Sequence, residues 1–373
     1  MRVLLLAPTD HKNVAGGQAR AGAILVEQLR AAQEITFSHC VQPSIVAESS
    51  AFRVMGRRIA LYWRFICGII LFKPEIIHAF SPCSFAGLLE KSALCVVGRA
   101  LGARIILNLR NDPEVLIAGL PAWKRNICYW AMSLFDAYIC QYEGLEEFYV
   151  ARVGADPEDV FTVHNSISGA ASDLSDELIA DRFRRLRLVF IGTLEHRKGV
   201  DVLLDALSLL QKDGGIQPHL DIIGGVSKPH METYLATLEA LCAEKRISKR
   251  VTFHGALFGL EKDAVLCDAS ALVLPSRAEG FPNVVLEGLK VGLPAVVTRT
   301  GAVDDIRRVA GAAIRVVPTE SPRKMADAIV RLFSNQAEYE RGSRLAVRSV
   351  ENFRAERMRE NMIKVYSAVY NKA

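Results

Sequence analysis

Two glutamates, Glu279 and Glu287, stand eight positions apart in the segment EGFPNVVLE. The segment follows an apolar run, Ala271 to Leu274, and then takes on the pattern of a helix start. Pro282 suits a first helical turn, and Gly280 lets the backbone approach a ligand closely. The amides of Phe281, Asn283 and Val284 would then point outward at a helix N-terminus, whose dipole favours anionic oxygens. Carboxylates only accept hydrogen bonds and can hold vicinal hydroxyls, so the pair suits a sugar ring and a ribose. An ordinary helix start, with acids placed by the dipole, fits the same spacing, and the spacing alone does not choose.

A second segment, FIGTLEHRKG from Phe190 to Gly199, runs from a strand pattern into a helix start and carries Arg197 and Lys198. These cations could neutralise a phosphate; equally, they could be solvated charges beside a helix. Near the start of the chain, Gly16 and Gly17 follow the first apolar run. They could let a phosphate approach, or form a plain turn between strand and helix, and the G-x-G-x-x-G dinucleotide fingerprint is absent. Arg110-Asn111-Asp112-Pro113 ends another run. Asp112 could act as a base or orient an acceptor and Arg110 could hold an anionic one, but Asp-Pro is also a common turn. His78 reads as a packed residue at a strand end.

Strand-like runs alternate with helical patterns, which predicts parallel sheets built from βαβ units. The expected strands of the first half are Val3–Ala7, Ile76–Ala79, Ile105–Leu109, Ala137–Cys140 and Val160–Val163. Those of the second are Leu188–Ile191, Leu220–Ile223, Val251–Phe253, Ala271–Leu274, Ala295–Thr298 and Ala313–Val317. A polar stretch between Asn165 and Arg187 reads as the linker. Two doubly wound Rossmann-like domains facing a central cleft are expected, with ligands outside the carboxyl ends of the strands. After Pro318 the pattern is helical: Lys324–Asn335, Ala337–Asn352 and Ala355–Asn371, the last with Met358, Met362, Val365, Tyr366 and Val369 on one core-facing stripe.

Bulk properties exclude several classes. The 373 residues exceed the size of one hydrophobic core, and 50% hydrophobic against 23% charged excludes a disordered or fibrous chain. The eight cysteines lie mostly in apolar runs without ligand spacing. They read as reduced core residues of a cytoplasmic protein with no metal site. No stretch reaches the roughly 20 apolar residues of a membrane span. The net charge of +5 is modest but uneven. Phe52 to Lys73 holds Arg53, Arg57, Arg58, Arg64 and Lys73 among apolar and aromatic residues, with no acid. That composition fits an interfacial helix on the inner face of a membrane, and equally a crossover helix buried on the first sheet. Nucleic-acid binding is excluded by the lack of any recognisable basic and aromatic motif.

The block SRAEGFPNVVLEGLKVGLPAVVTRTGAVDDI, Ser276 to Ile306, resembles the E-x7-E region of family-4 retaining glycosyltransferases. Both glutamates, the FPNVV core, the later GLPAVV strand, Gly301 and Asp305 fall in that order. The resemblance is specific from Leu188 to Val317 and weak in the first half. It implies the GT-B fold, in which residues 1–168 bind the acceptor, residues 186–350 bind the nucleotide sugar, and residues 351–373 form a helix packing back toward the N-terminal domain. It further implies that Glu279 contacts the transferred sugar, Glu287 the ribose, the Gly280–Val284 backbone the sugar or diphosphate, and Lys198 the diphosphate. The family's arginine of this basic pair is Thr193 here, so Arg197 is the candidate second cation. A histidine that many relatives carry near Arg110 is missing.

The activity so implied is transfer of a sugar, with retention, from a nucleoside diphosphate sugar to a glycan or lipid-linked glycan in cell-surface polysaccharide synthesis. It calls for no cofactor and no metal. A dinucleotide-dependent oxidoreductase would need the missing glycine fingerprint. A non-catalytic nucleotide-sugar-binding scaffold of the same fold is the remaining alternative.

Overall fold

The computed structural model describes residues 1–8, 17–41, 51–82, 84–109, 112–226 and 229–372. Gly16, Arg110 and Asn111 lie outside the described residues. The chain divides into two compact units: residues 1–168 with 353–373, and residues 169–352.

The first unit holds a six-stranded parallel sheet of β1 (Arg2–Ala7), β2 (Thr36–Val41), β3 (Ile76–Ser81), β4 (Arg104–Leu109), β5 (Ala137–Cys140) and β6 (Val160–Thr162). Their order across the sheet is β2-β1-β3-β4-β5-β6. Central strands such as β1 and β3 are buried on both faces, so their sequences read as unbroken apolar runs. β2 was not expected: its sequence TFSHCV mixes polar residues, because it lies at the sheet edge with Phe37, Ser38 and His39 half-buried. One sheet face packs under the helices Ala51–Phe72, Phe85–Ala100 and Ala122–Met132. The other packs under Gly17–Arg30 and Ala355–Asn371, whose Met358, Met362, Val365, Tyr366 and Val369 are all buried there.

The second unit repeats the scheme with β7 (Arg187–Ile191), β8 (His219–Ile223), β9 (Val251–Gly255), β10 (Ala271–Leu274), β11 (Ala295–Thr298) and β12 (Ile314–Val317). Its order is β12-β11-β10-β7-β8-β9, all parallel. The chain therefore winds outward from β7 in one direction and from β10 in the other. This is the Rossmann order, and β7 and β10 flank its switch point.

The stretch expected as a linker is built into both units instead. Asn165, Ser166 and Ile167 are buried, and the Ile167 amide donates to Phe353 O at 2.9 Å. Residues 169–185 belong to the second unit, and Asp176–Arg185 forms a helix capped by the Ser175 hydroxyl. The cysteines need one correction: Cys267 is exposed and Cys67 half-exposed, while Cys40, Cys95, Cys128, Cys140 and Cys242 are core residues. Among the described residues no helix is long and apolar enough to cross a membrane, and no group of His, Cys, Asp and Glu could hold a metal ion.

Candidate active site

Arg197, Lys198 and Glu279, singled out in the second unit, converge at its switch point. After β7 the chain passes through Gly192 to a short 3-10 turn, His196–Lys198, and enters the helix Val200–Lys212 through Gly199. Gly199 has φ +66°, and a Cβ there would stand 2.1 Å from Pro275 O at the end of β10. Only glycine allows this left-handed turn so close to the neighbouring strand end. The turn brings Lys198 across to the loop after β10, where its ammonium donates to Glu279 Oε1 at 2.6 Å. Ser276 Oγ donates to the same oxygen at 2.6 Å.

Glu279 is only 8% exposed, a burial that a carboxylate tolerates when it is paired and hydrogen-bonded. Arg197 adds a second cation: its Nη1 lies 3.6 Å from Glu279 Oε2 and donates to Ala278 O at 2.8 Å. Its other nitrogen donates to Glu195, which also accepts from Thr193 Oγ1 at 3.3 Å. The structure thus places Arg197 beside the acid.

An ion-paired frame behind the turn holds it in place. Arg277 donates to the His196 carbonyl at 2.6 Å and to both Asp201 oxygens at 2.9 and 2.7 Å. Burial opposes ionisation of Asp201, but hydrogen bonds from Arg277 and from Tyr234, at 2.7 Å, outweigh it and hold its pKa below the ordinary carboxylate value. Neither Arg277 nor Asp201 was singled out in the sequence, where they are ordinary charges 76 positions apart.

Beyond Glu279 the loop is pinned from the next strand. Gly301, with φ +51°, packs so closely that a Cβ would meet Gly280 O at 2.1 Å, and the Ala302 amide donates to that carbonyl at 2.9 Å. The helix opens at Asn283, one residue later than the expected first turn, with Pro282 at its cap position. Phe281 and Pro282 are buried. The Asn283 amide donates to Phe281 O at 3.0 Å, which removes it from the expected set of outward amides. Val284, second in the helix, has no carbonyl four residues back within it to bond to.

Glu287 sits one turn inside, and its Oε2 accepts from Lys262 Nζ at 2.7 Å. The two side chains are 14% and 15% exposed. Lys262, on the helix Gly259–Asp268, was missed in the sequence because it lies 25 residues upstream and in no motif.

In the first unit, Asp112 caps the helix Pro113–Ala118: one oxygen accepts from the Glu114 amide at 2.9 Å and the other from the Tyr142 hydroxyl at 3.0 Å. Both oxygens thus hold the loop after β4, and Asp112-Pro113 opens a helix rather than the simple turn expected as the alternative. Gly17 begins the helix Gly17–Arg30. His78 is fully buried, with Nδ1 2.8 Å from the Tyr366 hydroxyl of the C-terminal helix and Nε2 3.2 Å from Asn108.

Comparison with known proteins gives this geometry a context. Residues 185–335 match the family described as Glycosyl transferases group 1. Among curated sequences, a phosphatidylinositol N-acetylglucosaminyltransferase subunit from Arabidopsis thaliana is 25% identical over 227 residues, 56% of this chain and 48% of that protein. The chain thus spans about half the length of this relative. Among solved structures, a sucrose-phosphate synthase from Thermosynechococcus elongatus superposes over 100% of both chains with a TM-score of 0.75 and 17% identity. Anabaena HepE in complex with UDP-glucose superposes over 99% of this chain and 100% of its own, with a TM-score of 0.74 and 13% identity. These likenesses show the two-domain α/β fold known as GT-B, as expected.

Proposed function

We propose that this chain, whose residues 185–335 carry a glycosyl transferases group 1 domain, moves a sugar from a nucleoside diphosphate sugar to an acceptor hydroxyl with retention of configuration. The observation that carries the reading is the Lys198–Glu279–Ser276 cluster at the switch point of the second sheet, with hydrogen bonds of 2.6 Å. Ligands of such sheets lie outside the carboxyl ends of the strands at that point. The complex of HepE with UDP-glucose, a protein of the same fold, supports a donor of this class.

In this reading the departing diphosphate gathers negative charge, and fixed cations and amides lower the barrier most when they stand where that charge develops. Lys198 supplies the cation, Arg197 the second, and the Val284 amide at the start of the helix Asn283–Lys290 a further donor. Glu279 takes the hydroxyls of the transferred sugar and Glu287 those of the ribose. Asp112, which holds the loop after β4 in place, orients the acceptor as its base, Arg110 holds an anionic acceptor, and Gly16 and Gly17 let the donor phosphate approach. No cofactor or metal enters the reaction. The acceptor is a glycan or lipid-linked glycan of cell-surface polysaccharide synthesis, and the protein works in the cytoplasm with reversible attachment to a membrane. The lipid in the name of the phosphatidylinositol N-acetylglucosaminyltransferase relative supports a lipid-borne acceptor.

A thermal-shift screen of nucleoside diphosphates and their sugars tests the reading. A ligand present at 100 times its Kd stabilises the native state by about 2.7 kcal/mol, so a true donor raises Tm by several degrees. No shift with any nucleoside diphosphate would overturn it. Proton NMR of the product made with the hit then reads retention directly.

A further inference from the structure

The first unit exposes its tryptophans. The chain has three, and Trp63, Trp123 and Trp130 are 69%, 60% and 60% exposed. Tryptophan is on average a highly buried residue, so three of three outside needs a cause. All three lie on the helices that cover one face of the first sheet.

The helix Ala51–Phe72 carries two apolar stripes. Leu61, Phe65 and Ile69 face the sheet and are buried. Ile59, Trp63, Ile66 and Ile70, spaced by four, three and four residues, form a second stripe on the side away from it, and they are 60%, 69%, 37% and 57% exposed. A helix covering a sheet needs only the first stripe.

The neighbouring helices continue this outer surface. Phe85–Ala100 is joined to the first helix by the Tyr62 hydroxyl donating to Glu90 at 2.7 Å, and to Ala122–Met132 by Ser92 Oγ donating to Ala131 O at 3.0 Å. The rings of Phe85 and Trp123 meet edge to face at 6.2 Å. Val97 and Leu101, near the end of the helix Phe85–Ala100, are 43% and 62% exposed.

Charge identifies the occupant. The three helices carry a single acid, Glu90, whose carboxylate is engaged by Tyr62. Arg58 and Arg64 are exposed beside the outer stripe, and Lys124 stands 5.3 Å from the Trp123 ring centre. Protein interfaces also enrich tryptophan and arginine, but a surface this one-sided in charge fits an anionic headgroup layer, which draws both tryptophan and basic side chains. We infer that the outer face of these three helices seats the protein on an anionic lipid bilayer, with Trp63, Trp123 and Trp130 at headgroup depth. This deepens the membrane part of the reading above and rests on it for biological sense, but it uses no residue of the donor site.

The full-length protein is sedimented with vesicles of phosphatidylcholine alone and of phosphatidylcholine with phosphatidylglycerol. The inference expects pelleting with the anionic vesicles, a blue shift of tryptophan emission, and little binding to the neutral ones. Arg58→Ser with Arg64→Ser should weaken binding about thirty-fold at low salt, with a smaller effect at high salt. Trp63→Ser with Trp130→Ser should lower affinity by at least about tenfold. Wild type left in the supernatant with anionic vesicles overturns it, as do both variants pelleting like wild type. A concentration-dependent dimer in the ultracentrifuge that the tryptophan variant abolishes also overturns it, by making a second copy the occupant. Nucleoside diphosphate affinity, measured on the same variants, separates the two proposals: its absence removes the transferase reading while vesicle binding still decides this one.

Discussion

Lys198 Nζ and Glu279 Oε1 lie 2.6 Å apart although 81 positions separate the residues. One follows β7 and the other follows β10, and these strands are neighbours in the sheet only because the winding direction reverses between them. The topology therefore makes a paired cation and acid at the strand ends.

Glu287→Gln is expected to weaken nucleoside diphosphate binding by one to two orders of magnitude, since hydrogen bonds to a charged group contribute about 1.5 to 3 kcal/mol. The Lys262 contact at 2.7 Å should let Lys262→Ala lower affinity as well, by loosening the carboxylate. Isothermal calorimetry checks both, and unchanged affinity in Glu287→Gln would sink the ribose assignment.

Lys198→Ala should reduce kcat more than it raises KM, because its charge matters most as the diphosphate departs. Arg197→Ala, at 3.6 Å from Glu279, should show the smaller loss. Steady-state kinetics with the identified donor decide it; a pure KM effect would make Lys198 a binding contact only.

Gly199→Ala places a methyl 2.1 Å from the Pro275 carbonyl in a backbone with φ +66°. A left-handed conformation alone costs a non-glycine residue about 1 to 2 kcal/mol, and the opposing atom is backbone and cannot swing away. Urea unfolding should show at least that loss together with weakened donor binding; wild-type stability would mean the turn relaxes freely.

The Asp201 carboxylate, whose pKa is held down by Arg277 and Tyr234, stabilises the fold at neutral pH. A folded-state pKa below the unfolded value gives stability that is present above the unfolded pKa of about 3.9 and disappears as pH falls through the lower folded value. Asp201→Asn should therefore be less stable than wild type at pH 7, with the gap closing below about pH 4. Thermal melts across that range test it, and a gap that stays constant with pH would refute the linkage.

Much of this was open to reading in the chain. The strands of the second sheet were legible because burial on both faces writes them as plain apolar runs, such as Leu272 and Val273 at 0% exposure. Glu279 and Lys198 were marked out only by the resemblance of their segments to a known family, since spacing alone left an ordinary helix start equally open. Lys262, Arg277 and Asp201 were not, since their partners are chosen by the packing of distant strands and their types are common on any surface. β2 and the helix Asp176–Arg185 escaped for a related reason: each buries few side chains, Ile179 and Arg182 in the helix, so hydrophobic periodicity hardly marks them.

The return of residues 353–373 to the first unit has a consequence for synthesis on the ribosome. The second unit, residues 169–352, is one unbroken stretch and can fold once it has emerged. The helix Gly17–Arg30 covers only part of the sheet face that holds Val3, Leu5 and Ile106, and the rest stays open until Met358 to Val369 arrive. At about 5 to 20 residues per second, the gap from residue 168 to residue 353 leaves that face waiting on the order of ten seconds or more. The older half of the nascent chain is thus the later to mature, and that interval is when a chaperone holding bare apolar strands would matter most to its yield.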